Sequence, residues 1–302
     1  MNIKNFLSDA VAVRIALVLG KLLTRKAGYK LADSTGKWIS NHQHYEMVRA
    51  VKANQWVVHD GKLNSDELNT LTVKVFQSAG RCLFDYFHFM DRSQSLLKIV
   101  SFGPAAQQAF MRIRNNQPTV IIVPHLSSFD LMGYALALEN IPLQVLSFPN
   151  PNDAYKMQNK LRQRVGIEIT PMSLSAFRNA RKRLREGGSI LSGLDRPLVG
   201  NQLEKYRPKF FGRETNLPVA YVRLAKEANA PIYMMACTTQ PDGSYLLTGS
   251  EAIWVAPKRD ISEEIVFNAE RVLSKAADLI RQRPEQWAMF YPVWPEILDE
   301  IS

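Results

Sequence analysis

The stretch "TVIIVPHLSSFDLMGYALAL", Thr119–Leu138, decides how the chain is built. Its first five residues are almost wholly apolar and rich in β-branched side chains, the signature of a short strand buried on both faces. Pro124 cannot continue a strand ladder, so the run stops there. From Phe129 the apolar residues return at helical spacing. The stretch therefore predicts strand, loop and helix, with His125 at the carboxyl end of the strand and Asp130 in the first helical turn.

The same rhythm continues to the end of the chain. "LQVLSF" precedes "AYKMQNKLRQRVG", "IEIT" precedes "LSAFRNARKRLREGG", and "SILSGL" leads into a long loop. Then come the helical "VAYVRLAKEANA", the strand "PIYMMACTT", a hairpin at "QPDGSY" and a last helix in "ISEEIVFNAERVLSKAADLIRQR". Strands alternating with helices predict an α/β fold, a largely parallel sheet covered by helices. Residues before about 100 lack period-two alternation and read as a helical N-terminal layer. Within it, Leu68, Leu71, Val75, Ala79, Leu83 and Phe87 recur at helical spacing, and Asp85, Tyr86 and His88 fall on a face turned to solvent or to a cleft, solvent being the expectation. With no linker and no repeat, residues 1–302 read as one domain: a helical layer over 1–100 and an α/β core over 101–302.

Bulk properties narrow the partners. The chain has 302 residues, 46% hydrophobic and 22% charged, which is ordinary globular composition. Its two cysteines, Cys82 and Cys237, lack ligand spacing, so neither a Cys-based zinc site nor a disulfide framework is expected. A net charge of +10 asks for an anionic partner. No finger spacing, RNA-binding aromatic motif or basic recognition helix is present, so nucleic acid is not the expected one. The N-terminal "AVAVRIALVLGKLLTRKAGYK" is interrupted by Arg14 and Lys21 and is too short to span a bilayer. Read as one helix, it places Arg14, Lys21 and Arg25 in a basic stripe suited to an anionic membrane interface, or to a solvated edge of a packed helix.

In open sheets of this kind, ligands collect at the carboxyl ends of strands, where both His125 and Asp195 fall. Asp130 has two readings. Ser127-x-x-Asp130 is a capping-box pattern, in which the carboxylate serves backbone N–H groups. Alternatively Asp130 reaches back to His125, accepts its Nδ1–H and leaves Nε2 as a base. With no Gly-x-Ser-x-Gly elbow in the chain, the simplest chemistry is direct: His125 deprotonates a hydroxyl that attacks an activated carbonyl.

"PHLSSFD", Pro124–Asp130, resembles the His-x-x-x-x-Asp/Glu motif of the glycerolipid (lysophospholipid) acyltransferase superfamily. Further landmarks occur in the order of one branch, the lipid A biosynthesis acyltransferases and the related phosphatidylinositol mannoside acyltransferases: "NPND", "LRQRVG", "LREGGSILSGLDR", "FFGR", "LAKEANAPI" and "RPEQW". The resemblance runs from the basic N-terminal helix to Trp294. Asp130 matches the mannoside branch, whereas lipid A enzymes usually carry Glu there. Pro124 and the lack of a Phe-Pro-Glu-Gly-like phosphate loop depart from the glycerol-phosphate branch.

The resemblance implies O-acyl transfer from an acyl-CoA or acyl carrier protein thioester to a lipid or glycolipid hydroxyl, without cofactor or metal. The enzyme would sit peripherally on the cytoplasmic side of the bacterial inner membrane. It implies a catalytic His125–Asp130 pair, with Arg162 near the donor phosphate or the developing oxyanion. Asp195 and Arg196 would position the acceptor or hold the following loop. Arg164, Arg178, Arg181 and Arg185 belong to a basic run able to steer an anionic donor or to form a solvated face. Phe210–Arg213 is expected to anchor its loop, and Trp287, Phe290, Tyr291 and Trp294 to pack in the core or, as the alternative, to meet a membrane interface. Two alternatives stay open: a lysophospholipid or glycerol-phosphate acyltransferase, and a non-catalytic basic protein binding membranes or nucleic acid.

Overall fold

In a computed structural model describing residues 10–198 and 205–301, Thr119–Val123 is the middle strand of a seven-stranded sheet. In chain order its strands are β1 Val100–Phe102, β2 Thr119–Val123, β3 Gln144–Ser147, β4 Glu168–Pro171, β5 Ser189–Gly193, β8 Ile232–Thr239 and β9 Tyr245–Gly249. A small separate hairpin, β6 Lys209–Phe210 and β7 Arg213–Glu214, lies between β5 and β8 in sequence. The sheet order is β1-β9-β8-β2-β5-β3-β4. Strands β2, β3, β4, β5 and β8 are parallel, β9 returns antiparallel to β8, and β1 runs parallel to β9. The architecture is thus α/β with a mostly parallel sheet, as the alternating pattern requires. Strand β1 is an addition: three residues with one exposed side chain give no readable alternation.

Helices cover both faces. On one, Val120, Ile122, Ile190 and Met234 pack against α9 (Leu174–Arg185), α10 (Ala220–Glu227) and α11 (Ile261–Gln282). On the other, Ile121, Tyr233 and Met235 pack against α6 (Pro104–Arg114) and α7 (Phe129–Leu138). Helix α8 (Asp153–Arg164) joins β3 to β4. Because β2 is covered on both sides, its residues are nearly all buried, which explains the continuous apolar run.

The N-terminal layer comprises α1 (Ala10–Leu22), α2 (Arg25–Ser40), α3 (Glu46–Val58), α4 (Ser65–Phe89) and the short α5 (Ser93–Leu97). The basic N-terminal stretch is two helices, not one. Thr24 caps α2 by accepting from the Ala27 N–H at 3.3 Å, and the chain turns there. Arg25 therefore leaves the expected stripe and points inward. Residues 1–9 of the expected layer and 199–204 of the long loop lie outside the described residues.

Small residues at four-residue intervals, Gly28, Ala32, Gly36 and Ser40, let α2 lie close against α4. A Cβ on Gly36 would come within 2.7 Å of the Gln77 backbone nitrogen. This approach buries Asp85, which the helical pattern placed on a solvated face. Asp85 is fully buried. It accepts from Arg25 Nε at 3.0 Å, Tyr29 Oη at 2.6 Å and Tyr245 Oη at 2.7 Å. Arg25 also donates to the Gly243 carbonyl, so one carboxylate ties α2 and α4 to the β8–β9 hairpin. Tyr86 is buried as well. Around this carboxylate, burial together with Asp85's charge holds the Tyr245 phenol well above its ordinary range. Asp85→Ala leaves Arg25 unpaired and should lower unfolding stability in urea by about 3–5 kcal/mol. A loss under about 1 kcal/mol would show that the cluster does not hold the layer on the sheet.

Candidate active site

Strand register assembles the centre. In the parallel pair β2–β5, Val123 lies opposite Gly193, so the residues two positions beyond each strand, His125 and Asp195, meet across the top of the sheet. Asp195 Oδ1 lies 2.6 Å from His125 Nδ1, and Asp195 Oδ2 accepts the His125 backbone N–H at 2.8 Å. The same Oδ2 accepts from Trp287 Nε1 at 2.7 Å. Asp195 is fully buried, whereas the His125 ring remains partly exposed. A carboxylate acceptor fixes the neutral ring with its proton on Nδ1, leaving Nε2 as the basic nitrogen.

This corrects the expected partner. Asp130 does not reach His125, and it does not cap α7 either: Ser128 is the N-cap residue and makes no side-chain cap bond. Asp130 instead takes Arg162 from the last turn of α8, with Nε at 2.7 Å and Nη2 at 2.6 Å from Oδ1. Arg162 is itself nearly buried, donates to Asn159 Oδ1 at 2.7 Å and lies over the Tyr155 ring. Burial opposes its charge, but Asp130 outweighs burial and the guanidinium is held above its ordinary range. A cation so engaged is a structural partner for Asp130 rather than a free phosphate ligand. "NPND" builds the start of α8, where Asn152 accepts the Tyr155 N–H at 2.9 Å.

The C-terminal "RPEQW" segment splints the histidine loop. Ser127 donates its backbone N–H to the Gln286 carbonyl at 2.8 Å, and Ala288 donates to the His125 carbonyl at 2.9 Å. The Gln286 side chain bonds both backbone groups of Thr239 at 2.9 Å each. Ser127, at φ +52°, turns its hydroxyl to Thr239 Oγ1 at 2.6 Å. Trp287 was expected to pack in the core, with contact at a membrane interface as the alternative. It packs against Phe210, Phe211 and Trp294 and in addition holds Asp195.

A largely apolar cavity opens beside His125 and runs across the strands beneath α7. Ile169 of β4, Val145 of β3, Leu191 of β5, Ile121 of β2, Met235 of β8 and Leu247 of β9 contribute to its wall. The wall thus takes side chains from six adjacent strands, β4 to β9. Met132, Gly133 and Leu136 cover it from α7, and His125, Asp130, Arg162 and Arg196 also line it. The Arg196 guanidinium carbon lies 3.7 Å from the Phe148 ring centre and 4.3 Å from that of Tyr291, whose hydroxyl accepts from Nη2 at 2.9 Å. Arg196 has no carboxylate partner among the described residues.

The other expected site residues take different places or roles. Asp195 is too buried to hold an acceptor. Arg164 lines a separate cleft, and Arg178, Arg181 and Arg185 do not reach the cavity wall. Arg181 pairs with Glu227 at 3.1 Å. Neither cysteine supplies a ready nucleophile: burial pushes the Cys82 thiol up to about 11 and raises Cys237, at the cavity wall, further. Both remain protonated near neutral pH.

Residues 7–296 match the family described as bacterial lipid A biosynthesis acyltransferase. A phosphatidylinositol mannoside acyltransferase of Mycolicibacterium smegmatis is 23% identical over 180 residues, covering 58% of this chain and 56% of the relative. One of Mycobacterium tuberculosis (strain ATCC 25618 / H37Rv) is 24% identical over 186 residues, covering 60% and 56%. The chain thus spans just over half the length of the curated relatives it matches. Replacing Asp130 with Asn would leave the buried Arg162 without its counter-charge. The variant should lose about 3–5 kcal/mol of unfolding stability, read by urea titration. An unchanged midpoint would mean that the ion pair is idle in the fold.

Proposed function

The chain belongs to the bacterial lipid A biosynthesis acyltransferase family, and from that premise we propose that it transfers a fatty acyl group from a thioester to a hydroxyl of a lipid or glycolipid. The observation that carries the reading is a partly exposed His125, held through Nδ1 by a buried carboxylate, on the wall of a largely apolar cavity lined from six strands of the sheet. Such a cavity suits a long fatty acyl chain and offers little to a polar metabolite.

In the proposed reaction, His125 Nε2 takes the proton of the acceptor hydroxyl as its oxygen attacks the thioester carbonyl carbon. Asp195 stabilises the imidazolium that forms. The tetrahedral intermediate collapses with loss of the thiolate, which takes the proton back from His125. An ester and a free thiol result. No acyl-enzyme is required, in keeping with two protonated cysteines. Arg196, at the same wall and without a carboxylate partner among the described residues, is the candidate ligand for the oxyanion or a substrate phosphate, the role first expected of Arg162. The Asp130–Arg162 pair fixes α7 against α8 beside the cavity.

The donor is acyl-CoA or acyl carrier protein, and the mycobacterial relatives, phosphatidylinositol mannoside acyltransferases by name, favour an acceptor of the glycolipid kind. No helix among the described residues is long and apolar enough to cross a membrane. The exposed Ile15, Val18 and Leu22 of α1, beside Arg14 and Lys21, suit peripheral attachment to an anionic leaflet, placed here on the cytoplasmic side of the inner membrane.

The test is acyl transfer by the purified chain from long-chain acyl thioesters into a bacterial lipid extract, followed by mass spectrometry. His125→Ala and Asp195→Asn should each lower turnover by about 10²–10⁴. Asp195→Asn should act on kcat far more than on KM, because the imidazolium exists only beyond the ground state. Transfer persisting in His125→Ala, or no acylated product with either donor class, would refute the proposal.

A further inference from the structure

We infer that a second cleft, between α1, α7 and α8, binds a single anionic phospholipid. Its volume is about 680 Å³, and it lies apart from the His125 cavity, sharing no lining residue with it. Arg14 and Lys21 of α1 and Arg164 of α8 supply the charge. Lys21 is paired with Asp91 at 2.6 Å, which neutralises the acid in the cleft. Arg14 and Arg164 are exposed and have no ion-pair partner among the described residues, so a net charge of about two remains for a ligand. Leu17, Val18, Leu138 and Val165 form an apolar surface between these cations.

That combination selects its occupant. A free phosphate would use the arginines and leave the apolar surface wet, whereas a zwitterionic lipid would use the surface and bring a quaternary ammonium to a cationic site. An anionic phospholipid satisfies both. The position fits delivery from a bilayer, because Val18 lines the cleft and continues into the exposed Ile15 and Leu22 on the same helix. The site makes no use of His125, and it holds whether or not the acyl-transfer reading does.

The experiment uses the full chain and a monomeric lipid, so that bilayer attachment is not what is measured. Dihexanoyl phosphatidylglycerol, below its micellar concentration, is titrated and followed by calorimetry, with dihexanoyl phosphatidylcholine and inorganic phosphate as comparators. Phosphatidylglycerol should bind at least about tenfold more tightly than either comparator. The exposed charge reversals Arg14→Glu and Arg164→Glu together should weaken it by about tenfold or more, with an unchanged melting temperature. Val18→Asn, which adds polarity but no charge, should also weaken it, and a simple anion site would not show that. Equal binding of phosphatidylcholine, full binding by the double charge reversal, or phosphate binding as tightly as the lipid with Val18→Asn neutral would each overturn the inference.

Discussion

The hydrogen bond between the Asp195 carboxylate and His125 is the constraint on which the rest of the centre depends. It exists because β2 and β5 are neighbours in parallel register, with Val123 opposite Gly193. A one-residue slip in that register would turn the two side chains to different faces. The geometry is therefore set by the sheet, through two loops that leave adjacent strands at the same level. Three N–H groups converge on the carboxylate: the ring and backbone of His125 and the Trp287 indole. A buried acid in that position is tolerable only with its lone pairs so occupied, since an unsatisfied one costs several kcal/mol.

Everything packed around the pair limits its freedom. The Pro284–Trp287 segment pins the histidine loop through backbone bonds, and Gln286 fastens the same segment to the end of β8. From the other side, the N-terminal layer reaches the loop through α4, where Ser128 Oγ donates to the Cys82 carbonyl at 3.4 Å. The Asp85 cluster keeps that layer on the β8–β9 hairpin. Three distant parts of the chain thus hold one imidazole. Such support is what keeps a reactive group within the narrow tolerances that proton transfer demands.

Much of this was legible in the residues. The unbroken "TVIIV" announced a doubly covered strand, and the strand–helix alternation announced the parallel sheet. His125 and Asp195 were both placed at strand ends, where ligands gather. What could not be read was the strand order: β5 is the fourth strand of the main run in sequence but the neighbour of β2 in space. Without that adjacency, the carboxylate nearest in sequence, Asp130, appeared to be the partner. Its actual partner, Arg162, lies 32 residues away on α8, and nothing in that mostly polar helix sets the one buried arginine apart from its exposed neighbour Arg164. Asp85 was misread for a similar cause, because helical periodicity assumes one buried face and α4 is covered on more than one. Trp287 carried no sequence sign of its polar duty, since an indole in a core looks the same with or without an acceptor.

The most direct test of the central claim is histidine-selective ¹⁵N NMR of the full chain. The account predicts that neutral His125 carries its proton on Nδ1, that this proton is strongly deshielded by a charged acceptor, and that the signal is lost in Asp195→Asn but retained in Asp130→Asn. A proton on Nε2, or a deshielded signal that disappears with Asp130 and survives without Asp195, would contradict it.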